Sequence, residues 1–243
     1  MNLILFSEDE TRRKLPPADP RTAHILNVLG LRTGGVFDAG IVNGPRGKAR
    51  VAALDDGGLS LEFSWTTPRA APDPITLIVG LPRPQTARKI LREAAALGVA
   101  QIHFAKAGKT DASYARSGLW ASGEWRRHLV AGAEQAFATD VPEVSFTETL
   151  AALLGRLPPA CPARVALDNY EAEAPLAGFF AGAAAACPCV IAIGGERGWD
   201  AADRALLRAA GFRLASLGGR VLRVETAVVA ALALAKAARG VWR

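Results

Sequence analysis

Near the end of the chain, two apolar runs break into glycine-rich turns whose side chains are of types that bind or polarise a ligand. The first is VIAIGGERGWD, Val190 to Asp200, an apolar strand pattern that gives way to Gly194-Gly195-Glu196-Arg197-Gly198 and then to a helix. Glycines at such a turn let the backbone approach a ligand, and N–H groups at the coming helix hold polar or anionic groups. The pattern fits neither the G-x-G-x-x-G fingerprint of dinucleotide binding nor the G-x-x-x-x-G-K-S/T loop of nucleoside triphosphatases. A plain tight turn between strand and helix accounts for these glycines equally well at this level. The second run is LGGRVLRVETA, Leu217 to Ala227, again a strand end, two glycines and a helix, here carrying Arg220, Arg223 and Glu225. Charged residues entering an otherwise Ala/Val/Leu helix suit a site where charge develops, while Glu225 also suits the first turn of any helix, where the dipole favours an acid.

The other reactive residue types exclude several chemistries. His24, His103 and His128 are far apart, and no carboxylate cluster joins them at metal-ligand spacing, so no catalytic metal is expected. Cys161, Cys187 and Cys189 are odd in number, and the last two flank a single proline, which is not zinc-knuckle spacing; structural thiols are expected. No G-x-S-x-G elbow or paired Cys/His signature points to a hydrolase. The net charge of +6 and pI near 9.6 suit a polyanionic partner, because each Lys or Arg that neutralises a phosphate releases a counterion. Residues 1–70 hold nine Lys/Arg against eight Asp/Glu and the rest holds twenty against fifteen, so the basic excess sits in the larger part. The apolar stretches Leu176–Ala186 and Ala227–Ala238 are Ala-dominated and interrupted, short of the ~20 strongly apolar residues of a bilayer span. The start MNLILFSEDE lacks the basic opening and small-residue cleavage site of a signal peptide, which points to the cytoplasm.

Taken together these segments resemble a known family. LGGRVLRVETAVVAAL is similar to the LGxRILRxETA segment of the RsmE family, and IAIGGERGWDAADRALLRAAGF to its IGPEGGxxxxE segment, at the same distance from LG. In the family's order, LPRPQTARKILREAAALGV resembles its basic helix ending in ELGV, AGAEQAFATDVPEV its AxEQ segment, and HILNVLGLRTGGVFDAGIVNG its N-terminal HxxxVLRL segment. The chain departs from the pattern at four places: the loop proline and one glycine are replaced within Gly194–Gly198, and Ala96, Gly30 and Ala138 stand where the family has Glu, Arg and often Arg. Lys109 to Tyr114 and Ala138-Thr139 look like a variant subgroup. The change that introduces Arg197 sets a bulky cation beside the presumed pocket, and a catalytically inactive RNA-binding relative or a methyltransferase for another RNA position are the competing readings.

The resemblance implies S-adenosylmethionine-dependent methylation of N3 of a uridine in small-subunit ribosomal RNA, by a homodimer. It implies an α/β fold: a SPOUT domain with a trefoil knot and parallel sheet, true knots being rare, preceded by a small PUA-like β-barrel. The cofactor would meet Leu167, Asp168, Ile193, Gly194, Gly195, Glu196, Gly198, Leu217, Gly218, Val221 and Leu222. Arg223 would stabilise charge on the uracil carbonyls and Glu225 would serve as polar partner or base. Arg83, Arg88, Lys89, Lys109, Arg126 and Arg127 would contact RNA phosphates.

Positioning these groups requires two kinds of element. Gly34 to Phe63 reads as short strands broken by Asn43-Gly44-Pro45 and Asp55-Asp56-Gly57-Gly58, and Thr67 to Pro74 as a proline-rich linker. Domains over 1–71, RNA-binding, and 72–243, methyltransferase, follow. Beyond the linker the pattern alternates: strand Ile75–Leu81, helix Gln85–Leu97 closed by Gly98, strand Val99–Phe104, then strands at Arg164–Leu167, Val190–Ile193 and Arg213–Leu217. Further helices are expected at Ser122–Phe137, Ala201–Ala210 and Glu225–Arg239. Such alternation favours a parallel sheet covered by helices.

Overall fold

Period-two apolar residues build the first part of the protein, and strand–helix alternation builds the rest. The structure, a computed structural model, describes residues 3–146, 148–158, 163–180 and 188–240. Cys161, Cys187 and the end of the Leu176–Ala186 stretch lie outside the described residues. The chain divides into two units, residues 1–71 with 130–141, and residues 72–129 with 142–243.

In the first unit β1 (Leu3–Phe6) is followed by α1 (Pro20–Ala23), which runs on through a π-helical turn, and then by β2 (Val36–Ile41), β3 (Arg46–Asp55) and β4 (Gly58–Thr67). They form one sheet in the order β1-β2-β3-β4, with β1 parallel to β2 and the other pairs antiparallel. Asn43 takes the left-handed conformation, φ 57°, that the β2–β3 turn needs. Ile4, Phe6, Phe37, Ala49, Val51 and Leu59 fill its core. The expected strands are present, and β1, which pattern reading does not reach, is added at the edge.

The second unit starts at β5 (Asp73–Gly80), so the linker is shorter than Thr67 to Pro74, both ends of which lie in strands. Pro74 has no N–H for the ladder, and the β5–β6 register is irregular between Asp73 and Thr76. Then come α2 (Pro84–Ala96), β6 (Val99–Ala105), α3 (Gly118–Ala121), α4 (Trp125–Gln135), β7 (Glu143–Ser145), α5 (Leu150–Gly155), β8 (Ala163–Leu167), β9 (Ala174–Pro175) and α6 (Leu176–Phe179). The unit closes with β10 (Cys189–Ile193), α7 (Ala201–Ala209), β11 (Arg213–Ser216) and α8 (Val224–Ala238). Its seven strands lie in the order β7-β6-β5-β10-β8-β11-β9, every pair parallel. The central strand β10 is buried along its whole length, as a strand covered on both faces must be. Helix α8 buries Val224, Ala227, Val228, Ala231, Leu232 and Ala235, a stripe at helical spacing. It packs against α2, which buries Ala87, Ile90, Leu91, Ala94 and Ala95.

Two local expectations are corrected. The helix expected over Ser122–Phe137 is the shorter α4, Trp125–Gln135: Gly123 at φ 75° lies in the turn that separates it from α3, and Phe137 at φ 58° lies beyond its end. Residues 130–141 belong to the first unit rather than to the second. There Glu134 Oε1 accepts the Leu5 N–H at 2.9 Å, Arg46 donates to the Phe137 carbonyl at 3.0 Å, and the Thr139 hydroxyl donates to the Gly44 carbonyl at 2.7 Å. Burial pushes the Glu134 carboxyl above its ordinary pKa, and its bond to the Leu5 N–H opposes this.

Candidate active site

Four loops at the carboxyl ends of β5, β8, β10 and β11 enclose a cavity of about 580 Å³. It lies where the sheet order turns back, β6 flanking β5 on one side and β10 on the other, the place where open parallel sheets bind ligands. Its volume suits a ligand of nucleoside size. The loops after β8 and β10 are built around buried groups. Asp168, 6 % exposed, accepts the Tyr170 N–H at 2.8 Å and the Glu171 N–H at 2.7 Å on one oxygen, and Arg204 Nε at 2.8 Å on the other. Its carboxylate is thus committed to holding the turn, and backbone groups of the loop are what it offers a ligand. Trp199, 1 % exposed, donates its indole N–H to the Leu167 carbonyl at 3.1 Å and ties this loop to the next.

The loop after β10 folds back on itself so tightly that a Cβ on Gly194 would lie 2.8 Å from Gly198 Cα. Gly198, at φ 62°, completes the turn, and Asp200 then starts α7 in a reciprocal capping box with Asp203. Glu196 accepts the Arg83 N–H at 3.0 Å and the Thr86 hydroxyl at 2.9 Å, so it caps α2 from more than a hundred residues away. From beneath, Lys109 donates to the carbonyls of Arg197 and Trp199 at 3.1 and 3.2 Å.

Beyond β11, Leu217, Arg220, Val221, Leu222, Arg223 and Glu225 line the cavity. Gly218, at φ 99°, makes the turn without lining it. Val221 is 80 % exposed and Leu222 37 %, apolar surface that a bound ligand would cover. Arg223 is the residue before α8, and among the described residues its guanidinium has no hydrogen-bond or ion-pair partner. Glu225 differs: its own backbone N–H, then the Lys89 ammonium at 3.0 Å, hold its carboxyl below the usual range. A carboxylate held ionised in this way is a weak proton acceptor.

Of the expected cofactor contacts all but Gly218 line this cavity, and Arg223 and Glu225 join them. Of the basic residues, Arg83 and Lys89 do so as well. Arg88 is spent on Glu124, with contacts of 2.7 and 3.1 Å that hold the Glu124 carboxyl at about 2, with His128 contributing. Arg126 lies over the Trp125 ring at 4.3 Å, and Arg127 is exposed. Arg197 stands beside the first cavity but lines a second one, which shares Gly195, Glu196 and Gly198 with it. Pattern reading did not single out Gln85, Thr86 or Tyr170 for a role; Gln85 and Thr86 sit in the first turn of α2, and Tyr170 adjoins the Leu167-Asp168-Asn169 loop. Among the described residues there is no cluster of three or more His, Cys, Asp or Glu able to hold a metal, and no helix long and apolar enough to cross a membrane.

The fold is that of solved methyltransferases. A ribosomal RNA small subunit methyltransferase E from Neisseria gonorrhoeae, bound to S-adenosyl methionine, superposes with a TM-score of 0.77 at 22 % identity, covering 98 % of this chain and 97 % of that one. A probable rRNA-methyltransferase from Porphyromonas gingivalis gives 0.79 at 18 % identity over all of both chains. Residues 69–236 match the family described as RNA methyltransferase domain. The ribosomal RNA small subunit methyltransferase E of Treponema pallidum (strain Nichols) is 34 % identical over 100 % of this chain and 93 % of its own length. The corresponding methyltransferase E 1 of Borreliella burgdorferi is 25 % identical over 95 % of each. The chain belongs to the RNA methyltransferase family, in the small-subunit methyltransferase E group that its motifs resemble.

Proposed function

We propose that this protein transfers a methyl group from S-adenosylmethionine to N3 of a uridine in small-subunit ribosomal RNA. The observation that carries the reading is the single cavity in which the loops after β8, β10 and β11 meet Arg223 and Glu225. The residues fit the cofactor: Leu167, Ile193, Leu217, Val221 and Leu222 give apolar walls for a nucleoside, and the glycine loop gives backbone groups for its polar edges. When bound, the cofactor supplies an electrophilic methyl on a sulfonium sulfur.

The acceptor nitrogen carries a proton and has no free lone pair for in-line attack, so the chain must favour its anion. Arg223 has its donors unspent and stabilises the negative charge that spreads to the flanking carbonyl oxygens. Lys89 adds positive charge from α2, held in place by Glu225. With Glu225 ionised and paired, its role is to position Lys89, and the proton leaves to solvent. The inactive RNA-binding reading loses its support, since Arg197 lies outside the first cavity. The family resemblance also supports a PUA-like RNA-binding role for the first unit, a knotted second unit, a homodimer and a cytoplasmic location.

The test is transfer of labelled methyl to unmodified small ribosomal subunits, followed by nuclease digestion and identification of the labelled nucleoside. N3-methyluridine is expected. Label in another nucleoside would refute the position, and no label on subunits that a known family enzyme methylates would refute the activity.

A further inference from the structure

The second cavity, of about 340 Å³, shares Arg83, Gly195, Glu196 and Gly198 with the first, so one loop walls both. Its other lining includes Lys109, Thr110, Asp111, Tyr114 and Arg197. Its two acids are each engaged through one oxygen: Glu196 Oε1 accepts from Arg83 and Thr86, and Asp111 Oδ1 accepts from the Ser113 N–H at 2.8 Å and hydroxyl at 2.7 Å. Its cations retain donors. Lys109 gives two contacts to carbonyls and keeps a third N–H; Arg83 gives Nε to the Tyr114 hydroxyl at 3.3 Å and keeps the rest of its fork. The Arg197 guanidinium has no partner among the described residues. A polar cavity lined by three cations with donors to spare, Arg83, Lys109 and Arg197, against two acids is matched by an anion with several acceptor oxygens.

We infer that this cavity is a phosphate subsite for the acceptor RNA strand, with Arg197, the residue that departs from the family's glycine loop, as its principal cation. The inference rests on the RNA-methylation reading, because the shared wall sets a phosphodiester here next to a nucleotide whose base enters the first cavity. Guanidinium forks match phosphate oxygens in pairs, and Tyr114 holds Arg83 for the same purpose. Arg197 is therefore a binding residue for RNA and takes no part in holding the cofactor.

The experiment measures binding of a fluorescein-labelled oligouridylate to the full chain by anisotropy across a salt series, with S-adenosylmethionine present. Arg197→Gln is expected to raise Kd about tenfold and to reduce the slope of log Kd against log salt by about one, with Arg197→Lys between it and the unsubstituted chain. Tyr114→Phe is expected to raise Kd less. The thermal shift that S-adenosylmethionine gives is expected to be the same for Arg197→Gln and the unsubstituted chain. Unchanged RNA affinity and slope in Arg197→Gln would overturn the subsite while leaving methyl transfer standing. A cofactor shift lost in that variant would also overturn it, by assigning Arg197 to the first cavity. The shift of the unsubstituted chain tests the underlying reading separately.

Discussion

Replacing Gly194 by alanine puts the loop closure to a quantitative test. A Cβ there would lie 2.8 Å from Gly198 Cα, 2.9 Å from Gly198 C and 3.1 Å from Trp199 N, all backbone atoms with no rotamer to yield. Ordinary contact begins at 3.4 Å, so the turn must open by about 0.6 Å, beyond the ~0.5 Å within which a preorganised site keeps its function. Overpacking of this kind costs about 1–3 kcal/mol, and ~2 kcal/mol lowers Tm by roughly 4–8 °C in a chain of this size. Because Gly194 and Gly198 line the first cavity, cofactor affinity falls in parallel, about tenfold for each ~1.4 kcal/mol lost. Thermal melts with and without S-adenosylmethionine read both effects. Gly219→Ala is the control, since nothing lies within 4 Å of its Cβ and its φ is not positive. A Gly194→Ala protein with unchanged Tm and cofactor shift would refute the tight closure and the role of this loop.

Asp168→Ala leaves Arg204, only 10 % exposed, with Glu171 at 3.5 Å as its remaining ion pair, strands two N–H groups, and is expected to cost about 3 kcal/mol in urea denaturation; Asp168→Asn costs less, and an alanine variant as stable as the unsubstituted chain would show that the carboxylate does not hold the loop. Arg223→Ala is expected to lower kcat about a hundredfold with little change in cofactor affinity, and equal losses in both would sink its role in charge stabilisation. Glu225→Gln is expected to lower kcat less than about tenfold, because loss of a general base costs roughly a hundredfold or more; a hundredfold loss would restore Glu225 as base. Arg21 holds the Glu10 carboxyl at about 2, below the usual 4.5, so the ionised form stabilises the fold above that usual value and the contribution is lost as pH falls from there toward 2. Arg21→Gln is expected to flatten this acid limb of stability, and an unchanged limb would refute the assignment.

What pattern reading reaches is local. The strands of the parallel sheet are short apolar runs bounded by glycine or proline, and α2, α7 and α8 have helical spacing, so their ends fall within a few residues of expectation. The glycine loops mark the cavity because close backbone approach leaves its own trace in composition. Long-range choices leave none. The four residues of β1 gain their meaning from β2, over thirty positions later, and residues 130–141 join the first unit through Glu134, Phe137 and Thr139, whose partners lie in β1 and around the β2–β3 turn. Glu196 belongs to the glycine loop in sequence and to the α2 cap in space. Arg197 is next to cavity-lining residues on both sides, yet a tight turn sends neighbouring residues to different cavities.

The position of β10 at the centre of the sheet has a consequence for how the chain is made. Ile75 of β5 pairs with Cys189 of β10, 114 positions later, and β8 also waits for the same strand. At roughly 5–20 residues per second on the ribosome, that partner emerges about 6–23 s after β5, and until then β5 and β8 each keep an open edge toward the missing centre. Folding of this unit is therefore a late, nearly all-at-once event, in which the ligand loops form together with the strand that completes the sheet.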